Sequence, residues 1–136
     1  MVVIAISSLM IILAGISKAI MDKIQFHFDK SIFSDDKRFK ELFWNPKISW
    51  RNKWSFNAQE HKLEERFLGS STVFVWTTDA WHCFQFILYT LVFGVIGLRP
   101  EFTNNIVLNL LVSLIVFKSL FTATFELFFR YIFEKK

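Results

Sequence analysis

Three long apolar runs, separated by the 22–67 segment and by a short polar link, set the pattern of this chain. Met1 to Ser17 carries no charged side chain. Between Arg66 and Arg99 only Asp79 is charged. A third run lies between Glu101 and Lys118, and Ser119 to Phe125 continues it. A helix that crosses the hydrocarbon of a bilayer needs about 20 mostly apolar residues. The pattern predicts spanning helices over about 2–21, about 72–98 and about 103–130. The expected fold is an all-α membrane protein: three transmembrane helices and a structured cytoplasmic loop containing short interfacial helices. Residues 1–136 form one integral membrane domain in this reading.

The first run has an alternative reading as a cleaved signal peptide, because Ser17-Lys18-Ala19 faintly resembles a small-x-small cleavage site. A signal peptide wants a basic n-region, and Met1 to Ile6 has none, so an uncleaved anchor is expected.

Basic residues set the orientation. The 22–67 segment holds Lys23, Lys30, Lys37, Arg38, Lys40, Lys47, Arg51, Lys53, Lys62 and Arg66, whereas the link between the second and third runs holds only Arg99. The C-terminal end adds Arg130, Lys135 and Lys136. The positive-inside rule places the 22–67 segment and the C-terminus in the cytoplasm and the N-terminus outside. The expected location is a bacterial inner membrane.

Composition agrees with that assignment. The chain has 136 residues, 53% of them hydrophobic, with 18 Phe. Its mean hydropathy is +0.36. Its net charge of +4 is concentrated on the cytoplasmic side, where anionic lipid headgroups are the natural partner.

The 22–67 segment is too aromatic for a disordered linker. Ser34 has the chemistry to cap a short helix, with Asp35 and Asp36 in its first turn and Phe39, Leu42 and Phe43 on one face. Asn45-Pro46 ends it, since the residue before proline avoids the helical region. Asn57 and Glu60 resemble a capping box and predict a second short helix to about Phe67, with Leu63 and Phe67 facing inward.

Between the two, Trp44, Lys47, Trp50, Arg51, Lys53 and Trp54 interleave aromatic and basic side chains. Tryptophan favours headgroup depth, where its ring is half dry and its N–H is wet. Lysine and arginine reach anionic phosphates from there. The six are candidate headgroup-binding residues, either as a simple interfacial anchor or as a specific pocket. Nucleic acid also attracts basic–aromatic mixtures. A site beside a membrane makes it the weakest partner, and none is expected.

Asp79 and His82 stand three residues apart at the start of the second run, so they share one helix face. Ionisable groups inside a membrane segment are costly and mark functional sites. Asp22, His27 and Asp29 follow the first run, at the same membrane boundary. His27, His82, Asp79, Asp22 and Asp29 are therefore candidate ligands for a divalent Zn, Mn or Fe ion, or an acid–base group. The plain alternative is structural: Asp79 caps a helix and His82 hydrogen-bonds it or a carbonyl. His61 reads as a solvated residue.

In the third run, Lys118 and Glu126 lie about two turns apart. Glu126 and Arg130 have the spacing of an i,i+4 ion pair. A polar lining for an oligomeric pore is the functional alternative. Asn104, Asn105 and Asn109 mark the other end and have the chemistry to hydrogen-bond across helices.

Several function classes are unsupported. The single cysteine, Cys83, gives no disulfide within the chain and no cysteine metal cluster. The sequence has no GxxxxGK[ST], GxGxxG, HExxH, GxSxG or GxxxG. Three helices make a small intramembrane core, so a homo-oligomer or a larger membrane complex is expected.

The strings FWNPKISWRNKW (Phe43 to Trp54) and TDAWH (Thr78 to His82) resemble uncharacterised small bacterial or phage-associated integral membrane proteins. The resemblance covers Asp22 to His82 and implies no activity. It suggests that the loop and the entry to the second span form one unit. Three functions fit these features. The leading one is a non-enzymatic small polytopic membrane subunit that binds lipid or a partner membrane protein through its basic aromatic face. The second is a metal-dependent enzyme acting on a lipid or lipid-linked substrate. The third is a homo-oligomeric channel or holin-like pore.

Overall fold

A computed structural model describes residues 1–35 and 40–135. Asp36, Lys37, Arg38, Phe39 and Lys136 lie outside the described residues, and with them the expected placements of Asp36 and Phe39. The described chain is mostly helical. Its elements are α1 (Val2–His27), α2 (Ile32–Asp35), α3 (Glu41–Trp44), strands β1 (Trp54–Asn57) and β2 (Lys62–Glu65), α4 (Ala80–Leu98) and α5 (Ile106–Leu127). A wide π-type turn over Phe128–Ile132 extends α5. Three segments are helical, long and apolar enough to cross a membrane: Val2–Lys30, Ala80–Leu98 and Ile106–Ile132. The second starts at Ala80 rather than near residue 72, because turns occupy residues 69–78 and Asp79 caps the helix.

α1 is the hub, with α4 and α5 packed on it and barely touching each other. Small residues allow the close approach. A Cβ added to Gly15 would stand 2.9 Å from the Phe121 carbonyl oxygen and 3.2 Å from Thr124 Cβ. Small residues at helix crossings supply van der Waals contact where lipid removes the hydrophobic drive for association.

The buried apolar cluster lies at one end of the bundle. Ala19, Ile20, Ile24, Phe28, Phe33, Ala80 and Phe133 form it, with Trp44 and Phe84 packed against it. The chain's C-terminal end closes this core. The Ile32 N–H donates to the Phe133 carbonyl (3.2 Å) and the Lys135 N–H to the Lys30 carbonyl (2.9 Å). Lys23, 2% exposed, pairs with Glu134 and stands 4.6 Å from the centre of the Phe129 ring. At the opposite end Arg99 adopts a left-handed conformation (φ 47°), and Pro100 follows it, which terminates α4. Asn105 caps α5, accepting from the Val107 and Leu108 N–H groups at 3.0 Å. Asn109 holds the link through Phe102 N–H (2.6 Å) and the Pro100 carbonyl (3.1 Å), not another helix.

Ser34 lies near the end of α2 and donates to the Ser31 carbonyl at 2.9 Å, and the turn it is expected to cap lies outside the described residues. One local expectation changes. The expected helix from Asn57 to Phe67 is a β-hairpin, so the chain is not all-α. Trp54 pairs with Glu65 and Phe56 with Leu63, antiparallel. The Asn57 carboxamide accepts from the N–H groups of Gln59 (3.0 Å) and Glu60 (3.3 Å). The same local bond serves a helix cap or a turn. Here the cross-strand pairing of Trp54 with Glu65 and Phe56 with Leu63 makes it a turn. His61, at φ 50°, bends the chain back.

Candidate functional site

The site is assembled where the loop meets the N-terminus of α4. Asp79 has extended backbone and caps the helix, accepting the His82 N–H at 3.0 Å. Its carboxylate also lies 2.8 and 2.9 Å from His82 Nδ1. Thr78 Oγ1 donates to it at 3.3 Å. Lys53 arrives from the loop, with its Nζ 3.0 Å from Asp79 Oδ2. The same Nζ is 3.3 Å from His82 Nδ1 and 3.4 Å from Nε2. Nearly equal distances to both ring nitrogens mean that it does not align with the single lone pair of a neutral imidazole.

The backbone around Lys53 is fixed from several directions. Its carbonyl accepts from Ser70 Oγ (2.7 Å) and from the Arg66 N–H (2.9 Å). Asn52 Nδ2 donates to the carbonyls of Leu42 (2.9 Å) and Thr78 (2.8 Å), joining α3, the loop and the entry of α4. Glu65 accepts from the N–H groups of Gly69 (2.9 Å) and Ser71 (3.2 Å) and from the Ser71 hydroxyl. These bonds organise the turn that delivers Ser70. They also hold the Glu65 carboxyl below its usual range, the Ser71 hydroxyl contributing most.

Asp79 is 4% exposed. Burial alone would raise its pKa, but hydrogen bonds from the His82 ring and backbone and from Lys53 outweigh that effect. They hold it at about 2, against an ordinary 3.8. The carboxylate is charged and orients the Lys53 ammonium and the His82 ring.

Lys53, Asp79 and His82 line a cleft of about 310 Å³. Phe43, Trp44, Trp50 and Trp81 contribute its aromatic walls, and Gln25 reaches it from α1. Trp81 Nε1 donates to Gln25 Oε1 at 3.0 Å, so α4 and α1 share one wall.

The six Trp–Lys residues separate into different surroundings. Trp44 stacks on Phe33, with centroids 4.6 Å apart, and also packs against Phe84. Trp50 is exposed, with the Arg51 guanidinium 5.8 Å from its ring centre. Lys47 pairs at 3.3 Å with Asp29 on the surface. Lys53 turns inward, and Trp54 is half-buried in β1.

The five candidate metal ligands are likewise divided. Asp79 and His82 meet. Asp22 pairs with Lys18, and Asp29 with Lys47. His27 stands edge-on to Phe129, with ring centres 5.5 Å apart. Among the described residues, no three His, Cys, Asp or Glu side chains gather as a metal-ligating group.

Sequence reasoning missed the roles of Asn52, Ser70 and Gln25, and it did not connect Lys53 with Asp79. The only advance signal was that a carboxylate at a membrane boundary needs a cation, and the loop offers many. The chain matches no protein-family model, no curated protein and no solved structure.

Proposed function

We propose that this chain is a non-enzymatic integral membrane subunit that binds the anionic headgroup of a lipid in the cleft between its loop and α4. The observation that carries this reading is the position of Lys53 and His82 in an aromatic-walled cleft beside Asp79, the cap of an apolar helix. That level corresponds to the headgroups of a bilayer crossed by α4. Tryptophan rings suit this half-dry depth. An ammonium group has three donors. Lys53 directs one to Asp79 and keeps others for phosphate oxygens. Arg51, exposed beside Trp50, adds positive charge at the rim.

The orientation in this reading puts the loop and C-terminus in the cytoplasm of a bacterium, following the basic residues. The exposed Phe56 and Leu63, paired on the hairpin, suit contact with the interface.

Native mass spectrometry of the full chain, purified in detergent, tests the reading. It would be titrated with phosphatidylglycerol and with phosphatidylcholine. The expected result is preferential retention of phosphatidylglycerol. Lys53→Met should weaken that retention about fivefold, the equivalent of roughly 1 kcal/mol for one basic group near an anionic surface. Equal retention of both lipids, or an unchanged preference in the Lys53 variant, would overturn it.

A further inference from the structure

We propose that the groove between α4 and α5 is the docking site for a transmembrane helix of a partner protein, and that this helix carries a carboxylate that pairs with Lys118. The groove has a volume of about 880 Å³. Ile11 and Val95 line it from the other helices, and Leu110, Leu114, Phe117 and Lys118 from α5. The four α5 positions recur at helical spacing and form one stripe. α4 and α5 rest on α1 without closing this stripe. None of the most apolar 18-residue stretch of α5 is buried.

Lys118 decides what fits there. Its side chain is exposed and has no hydrogen bond or ion pair among the described residues. It lies twelve residues into α5 from Ile106, about 18 Å at the rise of a helix, and is similarly far from Ile132. A lone ammonium at mid-bilayer is costly and needs a partner at its own depth. Lipid phosphates lie at the boundary, roughly 18 Å away by the same helix rise. A second copy of this chain does not supply a free acid at that depth, because Glu101, which also lines the groove, lies beyond the Ile106 end of α5. Asp22 and Glu126 are both engaged, with Lys18 and Arg130, and Asp29 with Lys47. A partner helix with an embedded Asp or Glu meets the requirement. It would lie along the open stripe, where Ser113 allows close approach. This site does not depend on the loop cleft.

The test uses the full chain in phosphatidylcholine vesicles and labelled, leucine-rich transmembrane peptides of about 20 residues. The peptides carry Glu, Gln or Leu at the centre, and association is read by energy transfer. The Glu peptide should bind the wild-type chain at least about tenfold tighter than the Leu peptide. Lys118→Leu should abolish the difference, and Lys118→Arg should keep it. Lys118→Glu should transfer the preference to a peptide with central Lys. Circular dichroism identifies any variant that has lost its helices, and the Arg and Glu variants keep the comparison decisive. Equal binding of the three peptides to the wild type would overturn the proposal. So would self-association of the chain that disappears in Lys118→Leu, which would assign the groove to a second copy. Modification of Lys118 by a water-soluble amine reagent in vesicles would also overturn it, because the groove would then be water-filled.

Discussion

Asp79 and His82 are joined twice within one helical turn. The Asp79 carboxylate accepts the His82 backbone N–H at 3.0 Å and lies 2.8 Å from its ring Nδ1. One side chain therefore starts α4 and fixes an imidazole at the wall of the cleft. Lys53 completes the arrangement from the loop at 3.0 Å.

The depressed pKa of Asp79 predicts a pH dependence with a definite sign. Its folded value of about 2 lies below the ordinary 3.8. The resulting stability is fully present above 3.8 and is lost as pH falls through about 2. It amounts to about 2 kcal/mol at 1.36 kcal/mol per pKa unit. Asp79→Asn keeps a capping side chain but removes the charge. Thermal unfolding in detergent should show it about 2 kcal/mol less stable than wild type near pH 6. The two proteins should converge as the pH approaches 2. Parallel profiles would contradict the assignment.

Lys53→Met should leave Asp79 with its His82 bonds but without its nearest cation. The expected loss of stability is roughly 2 kcal/mol, in the range for a hydrogen bond to a charged group. In the Asp79→Asn background the same change should cost much less. A double-mutant cycle measures that coupling, and additive losses would mean that the contact contributes nothing.

Gly15→Ala should push α5 from α1, because the new methyl meets the Phe121 carbonyl oxygen at 2.9 Å. Overpacking of this kind costs about 1–3 kcal/mol. Gly97 is the control, since a Cβ there meets nothing within 4 Å. Gly97→Ala should be neutral or slightly stabilising, as alanine favours helix. Comparable thermal stabilities for the two variants would refute the close crossing.

The Lys23–Glu134 pair should hold the C-terminal end in place. Hydrogen exchange in Lys23→Met should accelerate roughly tenfold at the Ile32 and Lys135 amides, through loss of a charged hydrogen bond. These amides donate to the Phe133 and Lys30 carbonyls. Amides in the middle of α4 should keep their protection. Unchanged exchange at Ile32 and Lys135 would show that the clasp does not need the ion pair.

The proposed orientation is checked by single cysteines in a chain lacking Cys83. A cysteine replacing Ser55, in the hairpin, should resist an impermeant reagent added to intact cells. One replacing Asn104, in the α4–α5 link, should react. The reverse pattern would invert the topology inferred from the basic residues.

Sequence alone determined the features that depend on neighbouring residues. Long apolar runs dictated three helices, because a run of this length satisfies its backbone internally only as a helix or a closed barrel. The capping chemistry of Asp79 was legible although the span was expected to start near residue 72, and three-residue spacing brought His82 back to Asp79. Asn45-Pro46 marked the end of α3, and Glu126 found Arg130 one turn away. Tertiary structure decided the rest. Asn57 and Glu60 carry the local signals of a helix start, yet pairing of Phe56 with Leu63 made a hairpin. Lys53 was one of many loop cations until Asn52, Ser70 and Arg66 anchored its backbone beside Asp79. Lys23 found Glu134 across 111 residues. Local hydrogen bonding and hydrophobic period are written within a few residues, whereas the choice among competing charge partners depends on which distant backbones the packed core brings together.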